Sequence, residues 1–249
     1  MNKNHTRFYL LLTITLLLFV LIGFSRTFYL RSFFEQPERW QLDQLPSVYV
    51  IHGMVLTAWF LLLVMQSAVI NLRKVSIHRK LGFAMAGLAI LVVFTGIQVV
   101  LDSTPRSIRM GLLDPESISE MRGQSFPLFL DLFSLVVFTA AMAVALVFRK
   151  NPVLHRTSVL TGSFAFMVVA LARATAFVFP SSGLGLLVAL FFLLPILLVV
   201  HDWVKFKRFP KYAFIGLMVL LLMVVFAFVI PQTDWGYRFF VNYLSGLSK

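Results

Sequence analysis

The chain has no cysteine in its 249 residues, and that absence removes disulfides, thiolate catalysis, thiolate-held iron–sulfur clusters and Cys-ligated zinc together. Charge is scarce too. Asp, Glu, Lys and Arg make up 13% of the chain, against about 25% in a soluble globular domain. There is no Walker motif, no GxGxxG placed between strand and helix, and no GxSxG elbow, so nucleotide-driven and hydrolase chemistry have no support. Five histidines are present, without an HExxH segment or a pair at i, i+4.

What the chain does have is apolar length. Hydrophobic residues make up 59%, gathered into runs at 8–24, 48–70, 81–101, 126–148, 158–179, 183–200 and 213–230. A run of roughly 18 or more apolar residues with few charges reads as a membrane span. The expected fold is therefore all-α: a polytopic transmembrane helical bundle of about seven spans, forming a single domain over residues 1–249. The first run follows the weakly basic Met1 to Arg7 segment, as a signal peptide would. It is longer than a usual signal core, and Gly23-Phe24-Ser25-Arg26 lacks a small-x-small cleavage site, so an uncleaved span is expected. Pro180-Ser181-Ser182-Gly183 predicts a tight link between the fifth and sixth spans, with a re-entrant hairpin as the alternative.

The formal net charge of +12 raises nucleic acid as a partner. The basic residues form neither a free tail nor an aromatic-studded sheet, and no nucleic acid is expected. They sit in short loops, where anionic lipid head groups are the natural partner. Seven spans put the N-terminus and the loops 71–80, 149–157 and 201–212 on one side, with thirteen Lys and Arg and a single acid, Asp202. The other side holds eight bases and eight acids. The positive-inside rule then gives a bacterial inner membrane protein with a cytoplasmic N-terminus and an external C-terminus. One acid and one base remain, and both fall inside spans: Asp131 and Arg173.

Two stretches echo each other. Arg73-Lys74 followed by His78-Arg79 opens the third span, and Arg149-Lys150 followed by His155-Arg156 opens the fifth. Spans two and three are thus expected to be repeated as spans four and five, an arrangement common in transporters without being confined to them. Together, His52, His78-Arg79-Lys80-Leu81-Gly82, His155-Arg156 and Arg173 resemble the pattern of a family of uncharacterised bacterial multi-spanning membrane proteins, a domain of unknown function. The resemblance covers roughly residues 48–180. It departs from the family at Thr157-Ser158-Val159, where a bulky or basic continuation is usual. It implies topology and brings no activity with it.

Two groups of residues are candidates for chemistry. Asp131, Arg173 and His52 are expected at similar depth in the outer half, and the high cost of an unpaired charge there favours an Asp131–Arg173 pair facing the bundle interior. Such a site suits a proton, a quinone head group or a small anion, and a purely structural pair that locks helix register is the competing explanation. His52, Trp59 and Gln66 recur every seven residues and share a helix face, as polar residues that join helices do. The second group lies at the cytoplasmic helix ends: His78, Arg79, His155, Arg156, His201 and Asp202. Its possible ligands are a divalent metal such as zinc or iron, a haem b held between His78 and His155, or lipid phosphate at the helix starts; a proton relay is the remaining use. Small residues four apart, Gly82 and Ala86, Ser158 and Gly162, Ala170 and Ala174, suit close helix contacts. The outer loops expected at 25–47 and 102–125 contain amphipathic stretches such as Phe28 to Trp40, which suit the membrane surface and a docking partner equally. The function expected is redox or cofactor binding (haem or quinone), with a small-solute or proton transporter and a non-catalytic assembly or scaffold protein as alternatives.

Overall fold

The computed structural model describes residues 3–35, 45–114, 116–178 and 183–247. Among these there is no strand, and the helices are α1 Lys3–Phe24, α2 Ser47–Asn71, α3 Val75–Arg109, α4 Ile118–Val147, α5 Pro152–Ala165, α6 Met167–Val178, α7 Gly183–Phe206, α8 Lys211–Val229 and α9 Asp234–Leu247. Six helical segments are long and apolar enough to cross a membrane, and the bent pair α5–α6 brings the number to seven. The protein is a multi-pass membrane protein with an all-α bundle.

Its surface inverts that of a soluble fold. Along α3, Phe83, Ile90 and Phe94 are 78%, 71% and 60% exposed, a contiguous apolar stripe that only lipid covers without penalty. Inside, α1, α2, α3, α4, α8, α7 and α6 pack in sequence round a closed ring, α6 returning to α1, and α5 touches α4, α8, α6 and α7 from within it. That central place explains the small and polar residues of α5. Thr157, Ser158, Thr161, Gly162, Ser163 and Ala165 are all buried, and a Cβ on Gly216 of α8 would run into the Thr161 side chain.

The helix ends are set locally. Asn151 caps α5 by accepting from the Leu154 N–H (3.2 Å), with Pro152 in the first turn, and Ser117 caps α4 by accepting from the Glu120 N–H (3.4 Å). These are the residue types that satisfy the orphan donors of a first turn. α2 ends with Arg73 at φ 60°, where Lys74 N–H reaches the Val69 carbonyl (2.8 Å) and Arg73 N–H the Ile70 carbonyl (2.9 Å). This is a left-handed cap that glycine usually supplies.

One span is broken. The expected continuous fifth span, 158–179, bends by 44° between α5 and α6, although no proline lies there. Ser134 of α4 places its hydroxyl 3.1 Å from the Ala165 carbonyl oxygen, and a side chain entering the backbone ladder in this way is a recognised origin of kinks. The link expected at Pro180 to Ser182 lies outside the described residues, as does the 36–40 part of the amphipathic stretch; the part before it contains a π-helical turn at Ser25–Tyr29 and a 3-10 turn at Arg31–Phe33. α7 is long enough to cross fully. The loop expected at 102–125 is largely helical, because α3 runs on to Arg109 and α4 starts at Ile118.

The start of α1 and the turns α2–α3, α4–α5 and α7–α8 gather at one end, joined by contacts such as Thr6–Asn71 and Asn151–Tyr212. Arg73, Lys74, Arg79, Lys80, Arg149, Lys150, Lys205, Lys207, Arg208 and Lys211 are exposed there, and we name it the basic end. At the far end α9 lays Tyr237, Phe240, Tyr243 and Leu244 against Val100, Met121 and Leu128, and the Tyr243 hydroxyl donates to the Leu101 carbonyl.

Candidate functional site

A cavity of about 250 Å³ opens into the far half of the bundle between α1, α2, α3, α4 and α6, and His52, Asp131 and Arg173 all line it. The depths inferred from the spans thus bring these three residues to one space. No ion pair closes between Asp131 and Arg173. Arg173 Nη1 donates to Thr27 Oγ1 (2.9 Å) and the guanidinium lies 4.9 Å above the Phe24 ring, while remaining close enough to act electrostatically on Asp131. The π-helical turn after α1 is the reason, because it carries Thr27 into range. Among the described residues, no hydrogen-bond partner meets the Asp131 carboxylate.

The proton positions follow from the hydroxyls. Thr95 Oγ1 donates to the Leu91 carbonyl (2.7 Å), which uses its single proton, so His52 Nδ1–H is the donor in the 3.0 Å contact with Thr95 Oγ1. Neutral His52 then keeps Nε2 as an acceptor. By the same logic Thr57 donates to the Gly53 carbonyl (2.6 Å), leaving Tyr29 to donate to Thr57 (2.6 Å), and Tyr49 donates to Asp102 (3.0 Å). The protons of these four hydroxyls are spent within the protein. His52 and Asp131 are left as acceptors, facing the guanidinium groups of Arg173 and Arg106. Sequence patterning missed Arg106, which lies in the helical extension of α3, stacks 4.3 Å over Tyr49 and has a buried Nε with no partner among the described residues.

Beneath the cavity lies a packed band. Leu16, Trp59, Phe60, Phe138, Phe164 and Leu220 are each no more than 2% exposed, and the Trp59 indole N–H is satisfied by Ser163 Oγ (3.1 Å). The His52, Trp59 and Gln66 stripe thus turns inward along its whole length, from cavity to band to basic end.

The residues expected at the basic end separate into two groups. Asp202, 2% exposed, pairs with Arg156 Nη2 (3.1 Å) and with His201 Nδ1 (3.0 Å), and it accepts from the Tyr9 hydroxyl. Arg156 also lies 3.8 Å above the Tyr9 ring, and His201 stacks on Phe8 with ring centres 3.6 Å apart. This cluster ties α1, α5 and α7 together. Tyr9 and Phe8 gave no sign of it in the sequence, because each is one more aromatic in an apolar run. His78 and His155 form the second group, with ring centres 6.3 Å apart and planes at 87°. Arg79 stays exposed on the rim. No three His, Asp or Glu side chains among the described residues come together as metal ligands, so the set of three histidines and Asp202 does not converge on one ion.

Comparison with known protein families, with curated proteins and with solved structures finds no match to this chain.

Proposed function

We propose that this multi-pass membrane protein is a redox-type ligand-binding protein whose far-end cavity takes the head group of a quinone-class molecule. The observation that carries the proposal is the meeting, in one cavity of about 250 Å³, of the acceptors His52 and Asp131 with the guanidinium groups of Arg106 and Arg173. Two guanidinium groups against one carboxylate oppose a simple cation, and a simple anion leaves the acceptors His52 Nε2 and Asp131 without a donor. A hydroquinone ring satisfies both sets, because its hydroxyls donate to His52 and Asp131 while their oxygens accept from the guanidinium groups. Phe24, Phe28, Phe60 and Phe166 supply the apolar walls that such a ring prefers.

The test uses the detergent-purified protein and three probes: decylubiquinol, benzoate and phenylalanine. Saturable binding of the quinol alone is expected, weakened at least tenfold in Asp131→Asn. Preference for benzoate or phenylalanine would assign the cavity to an anion or a zwitterion and remove the quinone.

The packed band favours a second function, a transporter of a small solute, since a cavity open at one end and sealed at the other has the form of one state of alternating access. Substrate-dependent uptake into proteoliposomes would establish it over the first. In either case the excess of Lys and Arg supports placing the basic end, with the N-terminus, in the cytoplasm of a bacterial inner membrane and the C-terminus outside. The exposed Arg79, Lys80, Arg149 and Lys150 are then set against anionic lipid head groups.

A further inference from the structure

Gln66, 7% exposed near the basic end of α2, sends its amide into the opening turns of α3. In the orientation that satisfies both ends, its oxygen accepts from the Gly82 N–H (2.9 Å). Its NH2 donates to the His78 carbonyl (3.2 Å) and to His78 Nδ1 (2.5 Å). Two of these three partners are backbone groups, and a backbone group cannot exchange donor for acceptor. They fix the amide, and the amide fixes the ring: His78 Nδ1 accepts, so the His78 proton sits on Nε2.

His155 is arranged the other way. Its Nδ1 lies 2.9 Å from the Ala145 carbonyl; a carbonyl only accepts, so Nδ1 carries the proton and Nε2 is bare. A proton added to His155 goes to that bare nitrogen and breaks neither contact. On neutral His78 the one remaining lone pair is the one that the Gln66 amide occupies. A proton there sets two donors against each other at 2.5 Å. Turning the amide over does not mend this, because its NH2 would then face the Gly82 N–H and its oxygen the His78 carbonyl.

No carboxylate among the described residues offsets such a charge. His155, with ring centres 6.3 Å apart, is the one ionisable group that acts on His78. Around the joint, Arg7 of α1, Arg73 and Lys74 after α2, Arg79 and Lys80 on α3, and Arg149 and Lys150 after α4 are all exposed cations. Asp202 of α7 is engaged by Arg156 of α5, His201 and Tyr9.

We infer that Gln66 and His78 form an acid-released latch that closes the joint between α2 and α3 at the basic end. Above about pH 6.5, where a free histidine is mostly neutral, the latch holds. Below it, the open form gains a proton for which the closed form has no place, so each further pH unit favours opening by about tenfold. Gln66 shares its face of α2 with Trp59 and His52, so one helix links the latch to the packed band and the cavity. The latch itself needs no ligand in that cavity.

The experiment measures backbone amide exchange of residues 76–84 in the full-length, detergent-purified protein at pH 7.5 and pH 5.5, one unit either side of a free histidine's value of about 6.5. The first two turns of α8, which carry no histidine, are the reference in the same sample and cancel the intrinsic pH dependence of exchange. Relative to them, wild-type exchange is expected to rise about tenfold at the lower pH. His78→Asn keeps an acceptor beside the amide and takes no proton, so its ratio should stay level; His155→Asn should retain the rise. A wild-type ratio that is the same at both pH values overturns the inference, as does a rise that persists in His78→Asn. Should a variant fail to fold, the wild-type ratio decides alone, since α8 supplies its reference.

Discussion

Asp202 shows how much one side chain can hold at this depth. It sits where Arg156, His201 and the Tyr9 hydroxyl converge, so removing it takes the carboxylate from an Arg156 side chain that is only 23% exposed. Breaking a buried pair from one side costs about 3–5 kcal/mol, and Asp202→Ala is expected to lower stability in detergent by about that amount. Asp202→Asn keeps the shape and can still accept from Tyr9, so its thermal midpoint should fall between wild type and Asp202→Ala. Equal midpoints for all three proteins would mean that the cluster contributes no net stability. The sequence announced Asp202 and Arg156 through their placement at helix ends and left Tyr9 silent, because nothing in a run of leucines marks the one residue whose ring turns inward. His52 and Asp131 were legible for the opposite reason: polar groups at membrane depth are costly enough to stand out.

At the scale of elements, apolar runs reveal where helices must be and say little about where they stop. The expected third span, 81–101, corresponds to a helix of 35 residues, Val75–Arg109, because polar ends extend a helix past the hydrocarbon once capping allows it. The bend between α5 and α6 was invisible for a similar reason, since it depends on a hydroxyl from another helix. α9 was missed because its apolar face becomes apparent only when folded on α3 and α4. Close helix contacts, by contrast, leave a trace in small residues. Gly23 of α1 faces Ala170 of α6 so closely that an added Cβ would meet the Ala170 carbonyl oxygen. Gly23→Ala should therefore cost about 1–3 kcal/mol through overpacking. Gly87 of α3 has open space around it, and Gly87→Ala should be neutral or gain up to about 1 kcal/mol from helix propensity. Thermal denaturation of the two variants side by side checks the pair, and a stabilised Gly23→Ala would refute the packing argument.

For the whole molecule the charge asymmetry makes a prediction of its own. If the basic rim sets orientation, reporter fusions at the N-terminus and in the turn between α7 and α8 will read as cytoplasmic, and a fusion at the C-terminus as external. Reporters placing both chain ends in one compartment would contradict seven crossings and the separation of the two sites. The band of Leu16, Trp59, Phe60, Phe138, Phe164 and Leu220 also has an electrical meaning. It is a slab of low polarisability with ionisable side chains on either face, and most of a transmembrane voltage falls across such a slab. Moving one elementary charge through it against 100 mV takes about 2.3 kcal/mol. Asp131 and Asp202 stand on opposite faces of that slab, and a charge bound on one face crosses most of the cell's voltage only when the slab itself rearranges.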